Sequence, residues 1–196
     1  LKVLRGTLFA SSSDDAKQLL TGVHLNFIKS DLKSAATDGH RLAVLNLKNA
    51  IQNDLSGRET LQDNNSFNVT LPSRSLREVE RLISNWKSDD LVTLFCDKGQ
   101  VVFLASNQIV TTRTLDGIYP NYDQLIPDHF SNSILLNRLI FISALERMAV
   151  LADQHNNVIK ITTNKSNQQV YVTADAQDVG SGSESLSAKF ESEDIQ

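Results

Sequence analysis

Leu1, Leu4 and Leu8 recur three and four positions apart, so they share one face of a short helix at the start of the chain. Ser11–Asp15, five poor helix formers, ends it. Short strand-like runs follow at 22–28, 33–37 and 41–47. Asp38–Gly39 between the last two marks a hairpin turn, because glycine accepts the positive φ that a tight turn needs. The polar stretch 48–65 reads as an exposed loop.

The same order of elements returns twice. Phe67–Leu71 alternates as a half-buried strand does. A helix follows from Ser73 to about Trp86, with Leu76, Val79, Leu82, Ile83 and Trp86 on its buried face. Strands are predicted over 91–96, 101–105 and 109–115, with turns at Lys98–Gly99 and Ser106–Asn107. The third round is a strand at 133–136, a helix over 138–152, and strands over 158–162, 169–173 and 184–190. Gly180–Ser183 reads as a flexible loop before the last of these. Helices beginning near residues 1, 73 and 138 define a βαβββ repeat, longer than the common solenoid periods. One helix covers only one face of its small sheet, so the unit needs a neighbour. Three units are an odd number, which implies that the chain is cut from a longer polypeptide. Asp116–Phe130 holds two of the three prolines and reads as a domain boundary.

Composition narrows the function classes. Hydrophobic residues make up 40% of the 196, enough for a packed core. Nineteen basic and 23 acidic residues leave a net charge of -4, which excludes a strongly basic, histone-like protein. One cysteine, Cys96, excludes a disulfide framework and a cysteine-rich zinc site. No membrane span or signal peptide is evident, so a cytoplasmic protein is expected. The charge is unevenly placed. The predicted helices carry seven basic residues (Lys2, Arg5, Arg74, Arg77, Arg81, Arg138, Arg147) against three acidic ones, while the rest carries twelve against twenty. A helix-lined surface meeting nucleic-acid phosphates would need this segregation. An ordinary solvated helix face would show it too.

Ala36–Thr37–Asp38–Gly39–His40–Arg41–Leu42 is the densest polar cluster. A hydrolase or transferase could use Asp38 to orient His40 as a general base. The plainer reading is a hairpin tip. Leu19 and Leu20, with Ile118–Tyr119–Pro120, could line an apolar groove, or could be packing residues. Cys96 alternates with apolar neighbours and is expected in the core. Ser11–Ser13 reads as a helix end, and Asp14 and Asp15 as solvated acids.

These segments together resemble the bacterial replicative sliding clamp family, the beta subunit of DNA polymerase III. The likeness is carried by Thr7–Ala10 with Leu20–Val23, by Ala36–Val44, by Leu71–Arg74 with Glu78 and Arg81, by Leu115–Tyr122, and by Ala144–Arg147. It implies an α+β clamp fold of repeated βαβββ units, with antiparallel sheets outside and helices on the inner face. Residues 1–127 would be the central domain and 128–196 the first half of the C-terminal domain. The implied role is a non-catalytic processivity factor that encircles duplex DNA, without cofactor or metal, as a head-to-tail homodimer. Its other partners would be the polymerase catalytic subunit, the clamp loader and repair polymerases, each captured through a short linear peptide. By motif match the peptide pocket would include Leu20, Thr37, Gly39, His40, Arg41, Leu42, Pro120 and Leu125, bordered by Lys17 and Leu19. Lys2, Arg74, Arg77 and Arg81 would face DNA. The family's first domain and the end of its last have no counterpart here, and Ser73 stands where many members carry a basic residue. An unrelated peptide-binding scaffold is the further alternative.

Overall fold

The computed structural model describes residues 1–50, 67–85, 91–97, 99–105, 107–152, 158–176 and 180–191. It divides into two compact units, Leu1–Asp123 and Gln124–Gln196. The loop expected over 48–65 and the residues Trp86, Lys98 and Ser106 lie wholly or largely outside the described residues.

In the first unit, helix α1 (Lys2–Thr7) runs into a 3-10 turn, Leu8–Ala10. The Ser11 hydroxyl donates to the Leu8 carbonyl and closes that end. A second 3-10 stretch, Asp15–Thr21, broken at Lys17, leads into β1 (Gly22–Ile28), β2 (Asp31–Thr37) and β3 (Leu42–Leu47). Then come β4 (Phe67–Pro72), α2 (Ser73–Ile83), β5 (Thr93–Asp97), β6 (Gln100–Ala105) and β7 (Gln108–Arg113). All strand pairs are antiparallel, in two sheets ordered β3-β2-β1-β4 and β5-β6-β7. The strand ahead of α2 thus completes the sheet of the preceding repeat.

Alternation in these strands explains the core. Val23, Leu25, Ala36, Val69 and Leu71 point to one face of the first sheet, where Val3, Leu4, Leu8, Leu76 and Val79 of the helical segments meet them. Val101 and Phe103 of the second sheet join the same cluster. One polar pair sits within it, both side chains fully buried: the Thr7 hydroxyl donates to the Val3 carbonyl at 2.9 Å, which leaves it to accept from the Ser34 hydroxyl at 2.9 Å.

The second unit is β8 (Ser133–Leu136), α3 (Arg138–Leu151), β9 (Ile159–Asn164), β10 (Gln169–Ala176) and β11 (Gly180–Glu191). Its sheet order is β8-β11-β10-β9. Asn137 caps α3 by accepting from the N–H groups of Leu139 and Ile140. Ala144 and Met148 bury the helix against Val172, Ala174 and Leu186.

Two sequence expectations are corrected. Gly180–Ser183 is not a loop but the start of β11, paired with Thr173–Ala176. A Cβ on Gly182 would strike the Leu151 side chain and come within 3.3 Å of Met148 Sδ. The glycine therefore lets α3 lie close on the sheet, and its turn-like composition reflects packing rather than looseness. Cys96 is exposed rather than in the core. It lies on the inward-pointing set of β5, opposite Val101, but it lines an open cleft of about 400 Å³ at the end of the sheet, together with Asn68, Thr70, Asp97 and Gly117. Partial desolvation against the cleft wall raises its thiol pKa.

Candidate partner-binding site and basic helix face

The outer face of the first sheet is built by the same alternation, taken in the opposite sense. His24, Ala35 and Val44 form one row across β1, β2 and β3, and Thr70 extends it onto β4. The segment after β7 crosses over this row. The Leu115 N–H donates to the Thr70 carbonyl at 2.8 Å and starts the crossing. Tyr119 and Tyr122, each only 7% exposed, then pack on Ala35 with Leu19, Leu20, Leu42 and Val44 around them. The Tyr119 ring lies flat on His24, with centroids 4.9 Å apart and planes 11° apart. Tyr122 stands edge-on to it at 6.4 Å. Lys33 ties down the far end, 2.7 Å from the Asp123 carboxylate and 5.0 Å from the centre of the Tyr122 ring. Hydrogen bonding to Asp123 raises the Lys33 pKa.

The hairpin between β2 and β3 sits at the edge of this covered face. Thr37 organises it: its Oγ1 donates to the Arg41 carbonyl at 2.7 Å and accepts from the Gly39 N–H at 3.1 Å. Gly39 is at φ 96°, where side chains are strained. Asp38 Oδ1 accepts from the N–H groups of His40 and Arg41, and Oδ2 from Arg41 Nε. The two backbone N–H donors, followed by the Arg41 guanidinium, hold the Asp38 pKa at about 2. Both carboxylate oxygens thus serve the loop backbone and Arg41. Among the described residues none of Asp38's bonds goes to the His40 imidazole, so the general-base dyad is not formed.

The expected pocket residues therefore divide. Leu19, Leu20, Thr37, Gly39, Arg41 and Leu42 come together around the hairpin and the tyrosines. Lys17 joins them, with Nζ 3.4 Å from the Asp38 carbonyl. His40 and Pro120 are exposed beside them. Leu125 belongs to the second unit and is 68% exposed. The sequence pattern did not assign His24, Lys33 or Tyr122, which order this face, to the pocket, and it marked Tyr119 only as a groove residue. The signal for the tyrosines was the aromatic spacing in Tyr119–Pro120–Asn121–Tyr122. For His24 it was an aromatic polar residue on the outward set of the strand, a set it shares with Asn26.

The helix side of the unit differs in chemistry. Lys2, Arg5, Arg74, Arg77 and Arg81 are all exposed on α1 and α2. Arg5 pairs with Glu80 at 2.9 Å and Arg81 with Glu78 at 2.6 Å. Arg77 reaches the Leu8 carbonyl at 3.5 Å. Among the described residues Lys2 and Arg74 have no carboxylate partner. Of the four expected DNA-facing residues, Arg77 likewise has no carboxylate partner among the described residues but leans toward the Leu8 carbonyl, and Arg81 is paired with Glu78. Among the described residues no cluster of three metal-ligating side chains occurs, and no helix is long and apolar enough to cross a membrane.

The crystal structure of a DNA polymerase sliding clamp from Bacillus subtilis superposes on 99% of the chain with a TM-score of 0.84 at 31% identity, using 48% of its own length. The chain therefore has the DNA-clamp fold, an α+β architecture of antiparallel sheets and helices. The family model for the central domain of the DNA polymerase III beta subunit matches residues 1–121, and that for its C-terminal domain matches 123–196. The chain belongs to the DNA polymerase III beta subunit family. Beta sliding clamps of Synechococcus elongatus and Synechocystis are 47% and 45% identical over 98% and 95% of the chain. The chain spans about half the length of the curated relatives it matches.

Proposed function

We propose that this chain is the central domain and first half of the C-terminal domain of a processivity clamp for DNA replication. The observation that supports this most is the two-sidedness of the first sheet. One face carries α1 and α2 with their basic residues. The other carries the tyrosine-covered, apolar surface with the Thr37–Leu42 hairpin at its edge. A clamp needs both: a sequence-blind electrostatic side toward duplex DNA, and a shaped apolar side toward peptide partners.

On this reading the peptide site in the first unit comprises Lys17, Leu19, Leu20, Thr37, Gly39, His40, Arg41, Leu42 and Pro120. Lys2 and Arg74 carry most of the DNA contact, and Arg77 and Arg81 less. The intact protein closes a ring as a head-to-tail homodimer. Short linear peptides of the polymerase catalytic subunit, the clamp loader and repair polymerases share the apolar site in the cytoplasm. The clamp acts without cofactor by raising the polymerase's effective concentration at the primer end.

Fluorescence anisotropy of the full-length protein tests both sides. The probes are a fluorescein-labelled octapeptide bearing Leu and Phe side chains and a labelled DNA duplex. Leu20→Ala with Leu42→Ala should weaken peptide binding at least 10-fold and leave DNA binding unchanged. Arg74→Ala should lower DNA affinity and reduce the salt slope by about 1. Peptide binding that survives the double leucine change would overturn the site.

A further inference from the structure

β1 stays paired with β4 as far as Gly22 and Pro72, but its ladder with β2 stops at His24 and Ala35. Thr37 lies beyond that stop, yet it is only 7% exposed. Its N–H therefore needs an acceptor that the β1 strand does not supply. Tyr119 supplies it: the Thr37 N–H donates to the phenol oxygen at 3.1 Å, across 82 positions of sequence. From Thr37 the order passes into the hairpin through the bonds to Gly39 N–H and the Arg41 carbonyl.

The phenol oxygen can stand there only if the ring is held at the right height over the sheet. The ring rests on two side chains of the outer row. Ala35, fully buried, adds nothing beyond a methyl group. His24 gives a flat surface nearly parallel to the ring. His24 is itself fixed from the neighbouring strand, with Nδ1 3.0 Å from the Thr70 hydroxyl. Thr70 is 5% exposed and its carbonyl holds Leu115, the start of the same crossing segment.

We propose that His24 is a positioning residue for the Thr37–Arg41 hairpin: by carrying the Tyr119 ring it places the phenol oxygen at the Thr37 N–H, and so sets the shape the hairpin offers to a partner. The link to partner affinity rests on the peptide-site reading above; the link to hairpin order does not. Burial favours the neutral imidazole, which agrees with a ring kept in place as a stacking surface.

Two readouts on the full-length protein separate these links. Hydrogen–deuterium exchange by mass spectrometry follows the backbone amides of residues 36–41, with β10 as an internal reference. Anisotropy with the labelled Leu/Phe octapeptide follows affinity. His24→Ala and Tyr119→Phe should each raise exchange in the hairpin and weaken the peptide by about 3- to 10-fold, the size of one lost hydrogen bond. His24→Phe, which keeps a flat ring but not the Thr70 contact, should restore both to within about 2-fold of the parent. A hairpin whose exchange is unchanged in folded Tyr119→Phe and His24→Ala overturns the proposal. So does a His24→Ala effect spread evenly through the first unit that His24→Phe fails to rescue. If the hairpin responds as expected but the parent protein binds no peptide, the positioning role stands and the peptide-site reading falls.

Discussion

The two sheets of the first unit come from the same repeat and bury the same kind of inner face, yet their outer faces differ. Over β3-β2-β1-β4 the segment Leu115–Asp123 lays two buried tyrosines across the row His24, Ala35, Val44. Over β5-β6-β7 the matching positions are open: Phe95 is 40% exposed and Ile109 67%. Strand pattern alone makes both faces half-apolar. What turns one of them into a shaped surface is a crossing segment with its own anchors, Tyr119 on His24 and Asp123 on Lys33. The lesson is that a repeat supplies scaffold, and function attaches where the symmetry of the repeat is broken.

Breaking the largest anchor should show the contrast most strongly. Tyr119→Ala removes a buried aromatic and should cost about 3–5 kcal/mol of stability, as such core truncations do. Ile109→Ala on the open face should stay within about 0.5 kcal/mol. Urea denaturation of the two variants beside the parent measures both. Equal losses would mean that the two faces are not energetically distinct.

An intermediate effect is expected from pH. Burial lowers the His24 pKa below its ordinary value of 6.5 in the folded protein. Above about 6.5 the imidazole is neutral in both states and carries no penalty. As pH falls below that, the unfolded chain takes up a proton that the folded chain resists, so stability declines until the folded pKa is reached. Urea midpoints from pH 8 to pH 5 should fall for the parent and fall less for His24→Phe. Ile109 carries no titrating group, so Ile109→Ala should leave the pH dependence unchanged.

The smallest effect belongs to the ionic anchor. Lys33→Ala removes the Asp123 pair and the contact over Tyr122, but Asp123 is 63% exposed at its side chain. A loss of about 0.5–1 kcal/mol is expected, decreasing in high salt. A loss as large as that of Tyr119→Ala would make charge rather than ring packing the main anchor of the crossing segment.

Much of this was legible from residue pattern because the signals are local. Period-two alternation located β4, the order of the repeat located β1 and β8, and the apolar stripe Leu76, Val79, Ile83 located α2. Asp38–Gly39 announced its turn because the preference of glycine for a positive φ is a local backbone property. The errors came where a local signal met a distant partner. Gly180–Ser183 has loop composition, but α3 requires the small residue at Gly182. Cys96 has core spacing, but its strand ends in an open cleft.

By itself, then, the sequence determined the repeat, the helix and strand order, the hairpin at Asp38–Gly39, and the concentration of basic residues on helices. Each depends on neighbours within a few positions, where spacing and backbone preference act directly. Only the tertiary structure decided which outer face is covered, which helical charges stay unneutralised, and that His24 lies beneath Tyr119. Those outcomes join residues far apart in the numbering, such as His24 and Tyr119, 95 positions apart. Contacts of that range leave no period in the chain, because they arise only after separate elements have packed.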